Sequence, residues 1–164
     1  MGRADDVSDL YSQYLPRILN YIRMRVDGED LAQDLTAAVF ERAISRQHTL
    51  RKPEAFGAWL FRIARTTVAG YYRDRRPTVP LDLAESQEAP DPPPPELVMR
   101  QQEYARVRQA LSALSEREQE IIRLKFGGGL RNKEIARVLR LRAGHVAVIL
   151  YRALRKLRVH LEEG

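Results

Sequence analysis

Seven of the nine prolines in this 164-residue chain fall in the nineteen residues from Pro77 to Pro95, and no other feature divides the sequence so sharply. The surrounding stretch, PTVPLDLAESQEAPDPPPPE, also carries five acids and no Lys or Arg. Proline fixes φ and has no main-chain N–H to donate, so such a run reads as a solvated, polyproline-like linker unable to build a core. Fully extended at about 3.1 Å per residue, it would span up to roughly 60 Å. The expectation is two lobes, residues 1–76 and 97–164, joined by a flexible tether over 77–96. Each lobe is small enough to be only marginally stable alone.

Charge follows the same cut. Residues 1–76 hold 13 basic and 10 acidic side chains, residues 77–99 have a net charge of −5, and residues 100–164 hold 15 basic and 7 acidic. From Ile135 to Leu161 there are seven Arg or Lys and no acid. A basic face of that kind suits a polyanion. Solvated helix surface in an arginine-rich protein would leave the same trace.

Composition narrows the function classes. Cysteine is absent, which removes disulfides, thiolate metal sites and cysteine nucleophiles. His48, His145 and His160 are too scattered for metal-ligand spacing, so neither metal nor cofactor is expected. No apolar run approaches the 18 or so residues of a membrane span, and Met1 to Asp9 has no signal-peptide core, so a cytoplasmic protein without membrane insertion is expected. Gly127-Gly128-Gly129 follows no strand and precedes no Lys-Ser/Thr, and no nucleophile–base pair can be named. An enzyme is not expected.

Both lobes read as all-α. Leu10, Tyr14, Ile18 and Ile22 repeat every four residues, with Pro16 a candidate kink. Leu31, Leu35, Val39 and Ala43 make a second stripe. A third helix should begin near Pro53, with Phe56, Trp59, Leu60, Ile63, Val68 and Tyr71 inward, and end before Pro77. In the second lobe, Leu97 to Leu114 predicts one helix with Tyr104, Val107 and Leu111 inward. Ser115-Glu116-Arg117-Glu118 has the form of a capping box, and the glycine triplet stops the helix it opens.

Two further helices, near 132–139 and 143–160, have helix-turn-helix arithmetic. Ile135, Ala136 and Leu139 share a face, Leu141 plugs the turn, and Val146, Ile149 and Leu150 point back to the core. An ordinary helical hairpin would satisfy the same spacing. Arg140 occupies the turn position that often holds Gly, where a left-handed residue costs on the order of 1 kcal/mol. On the outer face of the second helix, Arg142, His145, Arg152 and Arg155 can reach phosphates or base edges. Ala147 and Val148 offer only apolar contact, as to a thymine methyl. The first lobe interleaves aromatics with cations from Phe56 to Arg76. There Phe56, Trp59 and Ile63 read as core, and Arg62, Arg65 and Thr66 as the better candidates for nucleic acid.

Taken in order, three blocks resemble the extracytoplasmic-function (ECF) sigma factors of the sigma-70 class. The stretch from Asp34 to Ala43, DLTAAVFERA, is similar to the region 2 helix that docks on polymerase. The stretch from Phe56 to Arg65, FGAWLFRIAR, is similar to the part leading into promoter melting. Leu114 to Leu157 is similar to region 4. The resemblance covers nearly the whole chain. It implies a promoter-specificity subunit that joins core RNA polymerase through the beta-prime clamp helices and the beta flap. Such a subunit recognises −35 and −10 elements and captures a flipped −10 base, whose extrusion costs a few kcal/mol.

The resemblance implies polymerase contacts at Asp34, Leu35, Val39, Phe40 and Arg42, with Asp34 and Arg42 the polar anchors because Ala37-Ala38 replaces a Gln-Glu pair common in relatives. It implies −10 contacts at Leu50, Arg51, Lys52, Arg62, Arg65, Thr66 and Arg73. Leu50, Arg51 and Thr66 would form the base pocket, with Thr66 standing where relatives commonly carry Asn. It implies −35 contacts at Arg131, Lys133, Arg142, His145, Ala147, Val148, Arg152 and Arg155. An anti-sigma factor or similar regulatory protein is the further partner implied. The residues alone leave open a helix-turn-helix regulator independent of polymerase, or a helical interaction protein.

Overall fold

A computed structural model describes residues 3–75 and 95–163, and every regular element among them is helical. The first lobe is α1 (Arg3–Arg23), α2 (Glu29–Ser45) and α3 (Phe56–Asp74), with short 3-10 turns at Gln47–Thr49 and Pro53–Ala55 between the last two. The second is α4 (Pro95–Leu111), α5 (Glu116–Ile122), α6 (Asn132–Leu139) and α7 (Ala143–Glu163); α5 runs on into a π-helical turn at Arg123–Gly127. The expected tether over 77–96 lies outside the described residues except for Pro95 and Glu96, which open α4. Pro at the start of a helix loses no internal hydrogen bond, so the helix begins two residues before the expected Leu97.

The apolar stripes go where their periods put them. Ile18, Ile22, Leu35, Val39, Ala43, Leu60, Ile63 and Val68 are buried where α1, α2 and α3 meet. α1 continues through Pro16 as one helix. Gly28, at φ +108, turns the chain into α2, and Glu29 in its first turn accepts from Arg23 Nε at 2.9 Å. Pro53 opens the 3-10 turn that leads into α3. Phe61 is fully buried and meets Tyr21 edge-on with centroids 5.7 Å apart.

In the second lobe the capping box forms as expected: the Glu118 N–H donates to Ser115 Oγ at 3.2 Å, and the Ser115 N–H donates to Glu118 Oε1 at 2.9 Å. Leu111, Ile121, Ile122, Leu124, Leu130, Ile135, Val146 and Leu150 fill its core. Val107 departs from the expected inward set and is exposed. Besides Leu111, polar contacts to α1 and the turn after it hold α4: Tyr104 donates to Asn20 Oδ1 at 3.1 Å, and Arg108 donates to the Arg23 carbonyl at 2.6 Å and to Asp27 at 3.0 Å. Arg140 has φ 58 and ψ 46, the left-handed turn anticipated between α6 and α7.

The two lobes pack against each other. The π-helical turn lies on α1, and α6 lies on α3. Gly127 and Gly128 allow the approach. A Cβ on Gly127 would stand 2.8 Å from Met24 Sδ and 2.9 Å from Tyr21 Cα, and one on Gly128 would stand 2.8 Å from the Phe61 ring. Arg17 seals the edge, donating through Nε to the Gly128 carbonyl at 2.7 Å and through Nη2 to the Gly129 carbonyl at 3.1 Å.

Candidate nucleic-acid interface

α7 presents the clearest surface. Its buried side, Val146, Leu150 and Ala153, docks on α5 and α6, which leaves the opposite side to solvent. Arg142, His145, Ala147, Val148, Arg152 and Arg155 are all exposed, as the helical period requires. Tyr151, which the sequence reading passed over, is 63% exposed on the same helix, with the Arg155 guanidinium 5.8 Å from its ring centroid. Its place three residues after Val148 was the signal that could have found it. At the start of α6, Lys133 is exposed; Arg131 is exposed too, but its main-chain N–H and its Nε both donate to Glu134 Oε1, at 2.9 and 3.2 Å. Burial raises the Glu134 pKa, and Arg131 outweighs it, holding the carboxyl below its ordinary value.

Leu50, Arg51 and Thr66 line no common cavity among those found in the described residues. Trp59 Nε1 donates to Thr49 Oγ1 at 2.8 Å, which ties the first turn of α3 to the loop that carries Leu50, Arg51 and Lys52. Thr66 is seven residues further along, about 10 Å up the helix axis. Its hydroxyl donates to the Arg62 carbonyl at 2.9 Å, and it lines a different cavity, between the lobes, with Arg65 and Arg73. Lys52 lines a cleft shared with Arg137 of α6. Arg51, Lys52, Arg62 and Arg73 are exposed, Leu50 half-buried.

Two of these arginines are engaged across the lobe boundary. Arg62 donates to the Arg137 carbonyl at the end of α6. Arg65 donates to Glu120 Oε2 at 2.5 Å. Glu120 is a hub: Tyr21 Oη donates to it at 2.9 Å, and Arg123 Nε, itself 3% exposed, donates at 3.0 Å. Burial raises the Glu120 pKa, but the charges of Arg123 and Arg65 win and hold the carboxyl below its usual range. Burial and the adjacent carboxylate push the Tyr21 phenol well above its ordinary value. Glu120 is not singled out by the sequence; Tyr21 and Arg65 of the other lobe, with Arg123 of its own, cover it.

On α2, Asp34 is exposed, Phe40 is half-buried against Tyr11, and Arg42 Nη1 donates to Thr67 Oγ1 at 3.0 Å. Leu35 and Val39 face the core and leave no surface for a partner. They fix the angle at which the other three are presented.

Comparison with known proteins now bears on this geometry. The sigma-70 region 2 family model matches residues 10–78, and the sigma-70 region 4 model matches residues 104–157. The ECF RNA polymerase sigma factor ShbA of Streptomyces griseus is 32% identical over 99% of this chain and 91% of its own length. The chain belongs to the ECF RNA polymerase sigma factors. BldN of Streptomyces coelicolor, also an ECF RNA polymerase sigma factor, is 35% identical over 95% of this chain, which spans 60% of the BldN length. The solved structure of CnrH in complex with the cytosolic domain of CnrY shares the fold at a TM-score of 0.73 and 24% identity, over 99% of this chain and 91% of that one. In this sigma factor the region 2 match covers most of α1 together with α2 and α3, and the region 4 match runs from within α4 to within α7. Among the described residues, no helix is long and apolar enough to cross a membrane.

Proposed function

We propose that this sigma factor joins core RNA polymerase and directs it to promoters, reading the −35 element with α7 and the −10 element with α3 and the preceding loop. The observation that carries the reading is the pairing, on one chain, of a region 2 match with a region 4 match whose outer helix face is basic and free of acids over residues 135–161. Asp34, Phe40 and Arg42 form the polar and aromatic face of α2 that meets polymerase. Arg142, His145, Arg152 and Arg155 meet phosphates and base edges, and Ala147, Val148 and Tyr151 give the −35 contact an apolar centre. Arg51, Lys52, Arg62, Arg65, Thr66 and Arg73 serve the −10 strand. Arg62 and Arg65 hold the second lobe in the packed arrangement, so their use on DNA requires the lobes to part. The protein supplies recognition and no bond chemistry of its own. It acts in the cytoplasm, under an anti-sigma factor or similar regulatory protein.

The test is co-purification with bacterial core polymerase, followed by promoter-directed transcription. Stoichiometric binding by the wild type, lost in Asp34→Arg/Phe40→Ala with helicity intact, is the expected result. DNA binding without polymerase binding would overturn the reading in favour of an independent helix-turn-helix regulator.

A further inference from the structure

Between the lobes lies a cavity of about 550 Å³, within the range of small-molecule sites. Five arginines line it from both sides: Arg25, Arg65 and Arg73 from the first lobe, Arg117 and Arg123 from the second. Among the described residues, only Glu116 and Glu120 oppose them there. Both carboxylates are committed, Glu120 to Tyr21, Arg65 and Arg123, and Glu116 to Arg123 at 2.9 Å. Arg25 is stacked over Tyr72 at 4.9 Å, and Arg73 makes one long exposed pair with Asp74 at 3.4 Å. Arg117 has no ion pair among the described residues.

The two walls therefore carry like charge. Closing the lobes brings Arg25 and Arg73 toward Arg117, and among the described residues that line the cavity only Glu116 and Glu120 offset the repulsion. A bound anion with several charges would reverse the sign of the cross-cavity term. Guanidinium groups match phosphate oxygens in geometry and charge. We propose that this cavity binds a small polyphosphate, free or as part of a nucleotide, and that the ligand clamps the lobes in the packed arrangement. The site stands on the cavity alone. Its consequence rests on the proposed promoter role: Arg65, Thr66 and Arg73 line the cavity, so the clamped form withholds them from the −10 strand.

The test uses the full chain and inorganic tripolyphosphate in a calorimetric titration, with ATP and GTP in parallel arms. One-to-one binding that weakens with salt is expected. Arg117→Ala, an exposed position whose loss breaks no described contact, should weaken it at least tenfold, and Arg25→Ala should weaken it also. Arg158→Ala, an equal charge change on the far end of α7, should alter it less than twofold. Tighter binding of a nucleotide than of tripolyphosphate would show that the base is read as well; equal binding would make phosphate the whole ligand. The chain lacks cysteine, so dyes on Glu41→Cys and Gly144→Cys report lobe separation without competing labels. A Cβ at Gly144 meets nothing within 4 Å. Tripolyphosphate should raise energy transfer in the otherwise native chain and not in the Arg117→Ala background. Absence of saturable binding, or equal loss in Arg117→Ala and Arg158→Ala, overturns the site. Binding without a change in transfer overturns the clamp. Neither result touches polymerase binding, which tests the promoter role separately.

Discussion

Gly127 of the second lobe lies so close to Tyr21 of the first that a Cβ on the glycine would stand 2.9 Å from the tyrosine Cα. Main chain meets main chain there, and neither can yield as a flexible side chain would. Close packing of the lobes is therefore conditional on a residue without a side chain at position 127.

Gly127→Val is expected to part the lobes while leaving each one folded. Overpacking of a tight contact costs about 1–3 kcal/mol. Small-angle scattering should show a larger radius of gyration, with far-ultraviolet dichroism unchanged. An unchanged radius would mean that the contact relaxes by another route.

Glu120 should be the costliest single charge to remove. Glu120→Ala removes the carboxylate that Tyr21, Arg65 and the buried Arg123 share, leaving Arg123 to Glu116 and Gln119, and breaking a buried pair in this way costs about 3–5 kcal/mol. Glu120→Gln keeps the size and part of the hydrogen bonding, so it should fall between that variant and the wild type. Urea denaturation of the three proteins gives the order directly.

Acid should weaken the same cluster. Glu120 has a pKa below its ordinary value in the folded chain, as do Glu29 through its hydrogen bond from Arg23, and Glu118 through those from Lys156 and Ser115. A carboxyl with a depressed folded pKa adds stability that is fully present above its unfolded pKa, about 4.3 for Glu, and lost as pH falls through the folded value. Stability should thus be level above about pH 5 and decline below pH 4. Glu120→Gln should show the shallower acid decline, measured by thermal unfolding at successive pH values.

Arg140→Gly should stabilise the protein. The residue sits at φ 58, ψ 46, where an L side chain costs about 1 kcal/mol and glycine does not. Its own side chain is exposed, so little packing is lost. A rise in melting temperature with promoter binding unchanged is the expected outcome.

Arg152→Ala and Arg155→Ala should each lower the slope of log affinity against log salt for −35 DNA by about one unit. Slopes that stay at the wild-type value would make that face of α7 solvated surface.

The helices were legible because their apolar residues repeat at the helical period: Ile18 with Ile22, Leu35 with Val39, and Val146 with Leu150 all point inward. The capping box at Ser115 and the left-handed Arg140 were legible because their chemistry is local. Val107 was misplaced because α4 is turned by the anchoring of Arg108, a polar group that periodicity does not weigh. Glu120 was invisible for a different reason. Its partners Tyr21 and Arg65 lie 99 and 55 residues away, and nothing within a charged helical turn announces that another lobe will cover it. The glycine triplet was read as a helix stop; that function needs one residue, and the two to spare are the ones lying on α1 and Phe61.

The seam between the lobes combines apolar contacts at Tyr21, Met24 and Phe61 with hydrogen-bonded polar groups, and no buried side-chain nitrogen or oxygen is left without a partner among the described residues. Polar groups at its rim, such as Arg62, can exchange a protein partner for water when the lobes part. Because both faces belong to one chain, their parting is a first-order event whose midpoint does not move with protein concentration. A ligand or protein that favours one form shifts the balance by mass action instead. Dilution series therefore separate the two: a property of the sigma factor alone stays constant across them, and one imposed by a second molecule does not.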